Sequence, residues 1–274
     1  MTSTKDRPFE DPGIEEPASA DRWGESPFDT DTVRAMRRTR RHPRATQFDY
    51  LHMRRLVDDL AAALDRLGDG VVDVLDVYCG TRPYDDLLAA GAHITGFDIP
   101  RNPYGVADVV SDEFLPFPDA SFDLVMCIEA FHYVRDTEHG VAEIARVLRP
   151  GGHALIAVPL VWEYDRTVLE HRFTGPELEN LFRGWEDVSV IENGGRAVAW
   201  ATLTGSLVHM VEWHVPERRI LGRLLRPFFV ALYLVVNGLG LVLDGAERRY
   251  ARSSLTLPMN LLVTARRSAD APRP

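Results

Sequence analysis

The chain has 274 residues, of which 45% are hydrophobic and 26% charged, and a formal net charge of -10. That length sets a soft expectation of one large domain or two small ones, with ample apolar material for a core. The acidic balance argues against nucleic acid as the main partner, because phosphate binding needs surplus Lys and Arg, and the two cysteines, Cys79 and Cys127, suit a reducing compartment rather than a disulfide framework.

Residues 1–30 are acidic and contain proline, without the apolar centre of a signal peptide, and read as a disordered tail. A basic cluster follows at Arg34, Arg37, Arg38, Arg40, Arg41 and Arg44, so residues 1–45 read as an acidic and then basic arm. A solvated arm or helix face explains that cluster more simply than a binding patch. Over residues 47–67, Met53, Leu56, Leu60, Leu64 and Leu67 recur at three- and four-residue spacing, which predicts a helix. Gly68 and Gly70 stop it.

Strands and helices then alternate. Residues 71–77 read as a first strand, 85–90 as a helix, 93–97 as a second strand and 107–110 as a short third one. A fourth strand is expected over 123–128 and a helix over 137–148, with Val141, Ile144, Ala145 and Leu148 on one face. Arg149-Pro-Gly-Gly152 turns the chain into a fifth strand over 154–159. Thr174-Gly-Pro-Glu177 has the form of a capping box opening another helix, and 188–191 reads as a sixth strand. Such alternation implies a parallel sheet covered by helices on both faces.

Residues 197–252 break this rhythm. They are largely helical in pattern and nearly all apolar over 227–243, before a last strand over 255–264. The apolar run is slightly short for a membrane span, and Asn237 and two glycines interrupt it. If the sixth and last strands pair in one sheet, a single crossing between them would leave the last one on the wrong side. Three readings of residues 220–245 stay open: a helix packed on the domain, a homodimer contact, or an interfacial element lying on a membrane. An Arg-rich flank, Arg218, Arg219, Arg223 and Arg226, would suit anionic lipid. Packing or dimerisation is favoured over the membrane surface.

Ligands of open α/β sheets sit beyond the carboxyl ends of the strands. Val74-Leu-Asp-Val-Tyr-Cys-Gly-Thr81 runs from an apolar strand through an acid into a short loop with a central glycine. That loop offers backbone N–H groups around Gly80. Asp98 ends the next apolar run about twenty residues after Asp76, the separation expected for a ribose-binding acid. Residues 112–116 follow the third strand and could cover an adenine ring. No Gly-x-Gly-x-x-Gly follows the first strand, which weighs against a nicotinamide-dependent oxidoreductase. No metal motif is present.

Taken in order, Val74 to Thr81, Gly96-Phe-Asp98, Leu115-Pro-Phe-Pro-Asp-Ala-Ser-Phe-Asp123 and Ile144-Ala-Arg-Val-Leu-Arg-Pro-Gly-Gly152 resemble the class I S-adenosylmethionine-dependent methyltransferases. The type 11 group is the nearest match, over roughly residues 70–195. The resemblance implies an α/β fold: a Rossmann-like seven-stranded sheet, mostly parallel with a reversed last strand, and helices on both faces. The core would span 46–196, a helical insertion 197–252, and the last strand 253–268. S-adenosylmethionine is the implied cofactor. By the same resemblance Asp76, Tyr78, Cys79 and Gly80 hold its amino-acid end, Asp98 the ribose and Asp112 the adenine amine. Cys127 and Glu129 would lie beside it at the end of the fourth strand. His132 is a candidate general base, with a half-buried pocket wall as the alternative. Trp162 and Tyr164, after the fifth strand, and His171 and Arg172, before the capping box, are candidates for the acceptor side.

The implied reaction moves a methyl group from a sulfonium to a small-molecule, glycan or lipid-type acceptor. The expected location is cytoplasmic, or peripheral to the inner face of the membrane. One departure motivates a different reading, a cofactor-binding or scaffold protein that has lost catalysis. The family's loop normally has three glycines, and here Tyr78 and Arg82 stand at the outer two positions. A side chain at Tyr78 either crowds the cofactor or requires a different backbone path, because glycine's usual role is close approach. Apart from any site role, the two cysteines suit small apolar fillers.

Overall fold

A computed structural model describes residues 30–100, 102–214, 220–250 and 256–268. Seven strands among these residues form one sheet: β1 (Asp73–Val77), β2 (His93–Asp98), β3 (Val109–Val110), β4 (Phe122–Ile128), β5 (Leu148–Pro159), β6 (Glu186–Asn193) and β7 (Asn260–Arg266). Their order is β3-β2-β1-β4-β5-β7-β6. Neighbours from β3 to β5 run parallel, and β7 runs antiparallel to both β5 and β6. The sheet is therefore mostly parallel with a reversed last strand, as the sequence implies. The chain winds from β1 towards β3 and then restarts on the other side of β1 at β4. That reversal opens a crevice beyond the carboxyl ends of β1 and β4.

Side chains alternate between the two faces of the sheet. On one face Leu75, Val77, Val125, Cys127, Ile156 and Val158 meet the helices α3 (Thr137–Val147) and α4 (Gly175–Leu181) through Ile144, Val147 and Leu178. On the other, Val74, Leu124, Met126, Leu155 and Ala157 meet α2 (Tyr50–Leu67) through Met53, Leu56, Leu60 and Leu64. Fully burying one such side chain stabilises the fold by about 1.5–3 kcal/mol, so the two layers hold the strand ends in place. The Asp136 side chain caps α3 by accepting from His139 N–H at 2.9 Å. The expected capping box also forms, with the Glu177 carboxylate accepting from Thr174 N–H at 3.2 Å.

Three local expectations are corrected. Residues 30–41 are a helix, α1 (Thr30–Arg41), and not the continuation of a tail; residues 1–29 lie outside the described residues. The helix expected over 85–90 is only a single 3-10 turn, Asp85–Leu87, ended by the extended Leu88. Strand β5 begins before Pro150-Gly151-Gly152, because that run is a bulge against β4 and the ladder continues through it.

Between β6 and β7 the chain forms a helical hairpin, α5 (Arg196–Trp213) and α6 (Ile220–Tyr250), against α2. Within α6, Leu224–Tyr250 is long and apolar enough to cross a membrane by length and composition. The flanking strands nevertheless pair with each other in one sheet, so the hairpin leaves and returns on the same side. Phe229, Tyr233, Val236, Asn237, Gly240 and Asp244 form its buried stripe. Asn237, which interrupts the apolar run, donates from Nδ2 to Ala45 O at 2.9 Å and Gln47 O at 2.8 Å. At Gly240 an added Cβ would come within 2.5 Å of Leu51 Cδ1 and 2.7 Å of Ala201 Cβ, so only glycine permits this close helix approach. One face of α6 is thus packed on the domain. Arg218, Arg219 and the side chain of Arg223 lie outside the described residues.

Candidate active site

The crevice beyond β1 is built from an unusual loop. Tyr78, Gly80 and Arg82 all have φ of 54°, the left-handed region. The glycine-type backbone path is therefore kept at all three positions, although only Gly80 is a glycine. Each non-glycine residue held there costs about 1–2 kcal/mol. Hydrogen bonds hold the loop in shape. Cys79 N donates to Phe97 O at 3.1 Å and Gly80 N to Asp98 Oδ2 at 2.9 Å. Arg82 turns away from the crevice, with Nε on Asp85 at 2.9 Å, Nη1 on Asp108 at 2.6 Å and Nη2 on Ile94 O at 3.2 Å. It ties the loop to β2, where Gly96 lets Cys79 and Arg82 pass close.

Tyr78 does not bend the backbone away. Its ring joins an aromatic wall, with centroids 5.9 Å from Phe97 and 6.1 Å from Phe114. Burial pushes its hydroxyl pKa up to about 12, followed by the nearby Cys127 and Asp98. Phe114 belongs to the segment expected to cover the adenine. Tyr78→Gly would lose about 0.5–1.5 kcal/mol of aromatic pairing together with the burial of the ring, up to about 1.5–3 kcal/mol, against about 1–2 kcal/mol of left-handed strain relieved. The melting temperature is therefore expected to fall by several degrees by calorimetry. In the same sample, a gain in S-adenosylhomocysteine affinity of tenfold or more would mark the native loop as degraded.

Asp76 and Asp98, both buried, come together at this loop. Asp98 Oδ1 accepts from Ile99 N at 2.8 Å, and Oδ2 also accepts from the Asn102 amide. Asp76 is pushed up to about 8, first by burial and then by Asp85, with Arg82 opposing and Asp98 adding. Asp112 lies two residues beyond β3 and is exposed. Its segment is positioned instead by Arg146 of α3. Arg146 donates to Leu115 O at 2.9 Å and Phe117 O at 2.7 Å and pairs with Asp119 at 3.0 Å. The sequence reading did not single out that residue, although it sits inside a quoted motif.

Cys79 and Cys127 are free and buried, and Cys127 belongs to the core behind the crevice. Burial first, then Asp76, pushes both thiols up. Their burial suits small apolar filler. Glu129 follows β4 with φ of 59°, and its N–H donates to Ala157 O at 2.9 Å. Its Oε1 is buried without a hydrogen-bond partner. Burial raises this carboxyl to about 7, against Arg40 and Arg172. His132 is buried with Nδ1 unpartnered, and burial lowers it to about 4, so the ring is neutral near pH 7. His132 O accepts from His171 N at 2.8 Å, and Arg172 pairs with Glu170 at 2.8 Å. His132, His171 and Arg172 thus gather at the β5–α4 connection near Glu129. Trp162 stands with α2 instead, edge-on to His52 at 5.3 Å and stacked on Phe48 at 6.4 Å. Tyr164 is exposed.

The arginines of α1 are the residues sequence reasoning undervalued. Arg37 Nε donates to Thr81 O at 2.8 Å, and Arg41 pairs with Asp86 at 2.7 Å. The charge of Arg40 acts on Glu129, Tyr84 and His52. The helix therefore brings positive charge to the crevice from above the loop. Six arginines within eleven residues were the signal.

A sheet of this order, with a reversed last strand and an acid-rimmed loop where the winding reverses, is the class I, Rossmann-like methyltransferase fold. Residues 75–156 match a family model described as a methyltransferase domain. A 27-O-demethylrifamycin SV methyltransferase of Amycolatopsis mediterranei is 37% identical over 116 residues, covering 36% of this chain and 42% of that protein. The sterol 24-C-methyltransferase ERG6B of Gibberella zeae is 34% identical over 143 residues, covering 46% and 37% respectively. A 2-methyl-6-phytyl-1,4-hydroquinone methyltransferase of Synechocystis sp. is 30% identical over 171 residues, covering 56% and 52%. The chain thus spans about half or less of the length of these relatives. The match to the methyltransferase-domain family thus falls on the strands and loops that frame the crevice, β1 to β5.

The residues present fit that cofactor. A Cβ added at Gly80 meets nothing within 4 Å, so the left-handed turn borders open space. Asp98, at the end of β2, would meet the ribose, and Asp76, within β1, would face the cofactor's positive charge. Arg37, held on Thr81 O, is a cation at the loop that would meet the cofactor's carboxylate.

Proposed function

We propose that the chain transfers a methyl group from S-adenosylmethionine to a small, largely apolar acceptor of lipid type. The observation that carries this reading is the loop of Tyr78, Gly80 and Arg82, held in its glycine-type path with Gly80 N bonded to Asp98. The named relatives, acting on a rifamycin precursor, a sterol and a phytyl hydroquinone, support the acceptor class. Two buried free cysteines fit a reducing, cytoplasmic setting.

When bound, the cofactor supplies an electrophilic methyl on a sulfonium. The protein's main work is alignment and exclusion of water, which can be worth about 7–11 kcal/mol. Asp98 and the Gly80 amide fix the nucleoside end. Glu129 is the group we assign to take the acceptor's proton, because Oε1 is free and its pKa of about 7 matches the task. His132 is the neutral wall beside it. Turnover should rise from pH 6 to pH 8 with an inflection near pH 7, as Glu129 loses its proton. Glu129→Gln is expected to abolish that inflection and lower kcat by roughly 10²–10⁴-fold. The assay is S-adenosylhomocysteine release over a set of phenolic, sterol and prenyl-quinol acceptors. Tight cofactor binding without turnover on any of them would favour a binding protein that has lost catalysis.

A further inference from the structure

The outward face of the α5–α6 hairpin has no partner within the described residues. Towards its outer end it exposes Met210, Val211 and Trp213 on α5 and Leu224 and Phe228 on α6, with Trp213 79% exposed. The same turns border a cleft of about 470 Å³ against α1 and the segment after it. Arg38, Arg44 and Arg226 line that cleft beside Val230 and Tyr233. Side chains of these three arginines make no hydrogen bond or ion pair among the described residues. The acids among the hairpin's described residues, by contrast, are engaged. Glu212 accepts from the Tyr233 hydroxyl at 2.5 Å and lies 3.8 Å from His209. Asp244 pairs with Arg55 and Arg248, and Glu247 pairs with Arg196 and accepts from Ala197 N. On a chain of net charge -10, this end is therefore locally positive as well as apolar.

That combination selects among occupants. A second copy of the same face would bury the unpaired arginines of both copies with no surplus acid to meet them, which is unfavourable. The pairing of β6 with β7 excludes a single crossing by α6, and the packing of α6 on the domain at Asn237 and Gly240 holds one face of the hairpin away from lipid. An interfacial tryptophan, exposed aliphatic side chains and unpaired guanidinium groups instead match a bilayer surface carrying negative headgroups. We propose that the outer half of the α5–α6 hairpin, with the Arg38–Arg44–Arg226 cleft, docks the protein on an anionic phospholipid membrane. The apolar side chains enter the headgroup boundary while the arginines meet lipid phosphates. This docking stands apart from the methyl-transfer reading, since neither surface contains a residue of the cofactor crevice.

The test is co-flotation of the full chain with vesicles of phosphatidylcholine alone, or with about 30% phosphatidylglycerol added. The protein should float with the anionic vesicles and not with the neutral ones. Trp213→Ser with Phe228→Ser, and separately Arg38→Gln with Arg44→Gln and Arg226→Gln, should each lower the partition coefficient by roughly tenfold or more. Raising NaCl should release the unmodified protein, a measurement that needs no variant to fold. Calorimetric S-adenosylhomocysteine affinity should stay at the parent value in both variants, which separates failure of docking from failure of the active site. Failure to float with anionic vesicles would overturn the proposal, as would equal flotation with neutral ones. A dimer in sedimentation velocity that Trp213→Ser with Phe228→Ser converts to monomer would assign the face to a second copy instead.

Discussion

Asp98→Ala is expected to raise the dissociation constant of S-adenosylhomocysteine by at least about tenfold, a loss of about 1.4 kcal/mol or more. The carboxylate is buried at 5% exposure, and its oxygens are fixed by Gly80 N, Ile99 N and the Asn102 amide. A ribose would therefore meet an acceptor that is already oriented. Hydrogen bonds to a charged acceptor are each worth about 1.5–3 kcal/mol, and the same side chain also shapes the loop. Two variants separate those contributions. Asp98→Asn can still accept from Gly80 but lacks the charge, so it should retain more of the melting temperature than of the affinity. Isothermal calorimetry with S-adenosylmethionine and S-adenosylhomocysteine should show parallel losses, because the two share the ribose. An unchanged dissociation constant would remove Asp98 from the site.

The place of Asp98 beside the loop was legible in the sequence, because an acid closing the next apolar run after Asp76 falls at the tip of the neighbouring strand. The strands were legible for the same kind of reason: apolar period, turn residues and spacing all agree from Val74 to Pro159. Helix α1 was not. Val33 is its one buried residue among those described, and its placement comes from Arg37 and Arg41 meeting residues 44 and 45 positions away. No local pattern encodes such pairing, so an arginine-rich segment reads as a solvated arm. The loop shows the opposite failure. Losing two glycines implies a changed path or a crowded site, yet Arg82 anchors the original path through Asp85, Asp108 and Ile94, compensating strain by contacts distant in sequence. At α6 the apolar composition left packing, dimer and membrane readings open. Asn237 and Gly240 decide for packing on one face, because each fits only a specific neighbour.

Asp76→Asn is expected to stabilise the cofactor-free protein, with the gain growing as pH rises. The folded pKa of Asp76 is about 8 against an ordinary 3.8, chiefly through burial. An acid whose folded pKa is raised supports stability fully below its unfolded pKa and loses that support as pH climbs through the folded one. The cofactor-free protein should therefore lose stability between about pH 4 and pH 8, by an amount on the order of several kcal/mol. Asparagine has no proton to lose, so this slope should disappear from melting curves of the variant. Cofactor binding should reverse the cost in the parent, since a nearby sulfonium and ammonium favour the charged carboxylate. Binding at pH 7 should then release roughly one proton from Asp76, seen as a dependence of the calorimetric enthalpy on buffer ionisation heat. Asp76→Asn should bind more weakly and release none, whereas Glu129→Gln should retain the release. A buffer-independent enthalpy in the parent would mean that Asp76 does not face the cofactor's positive charge.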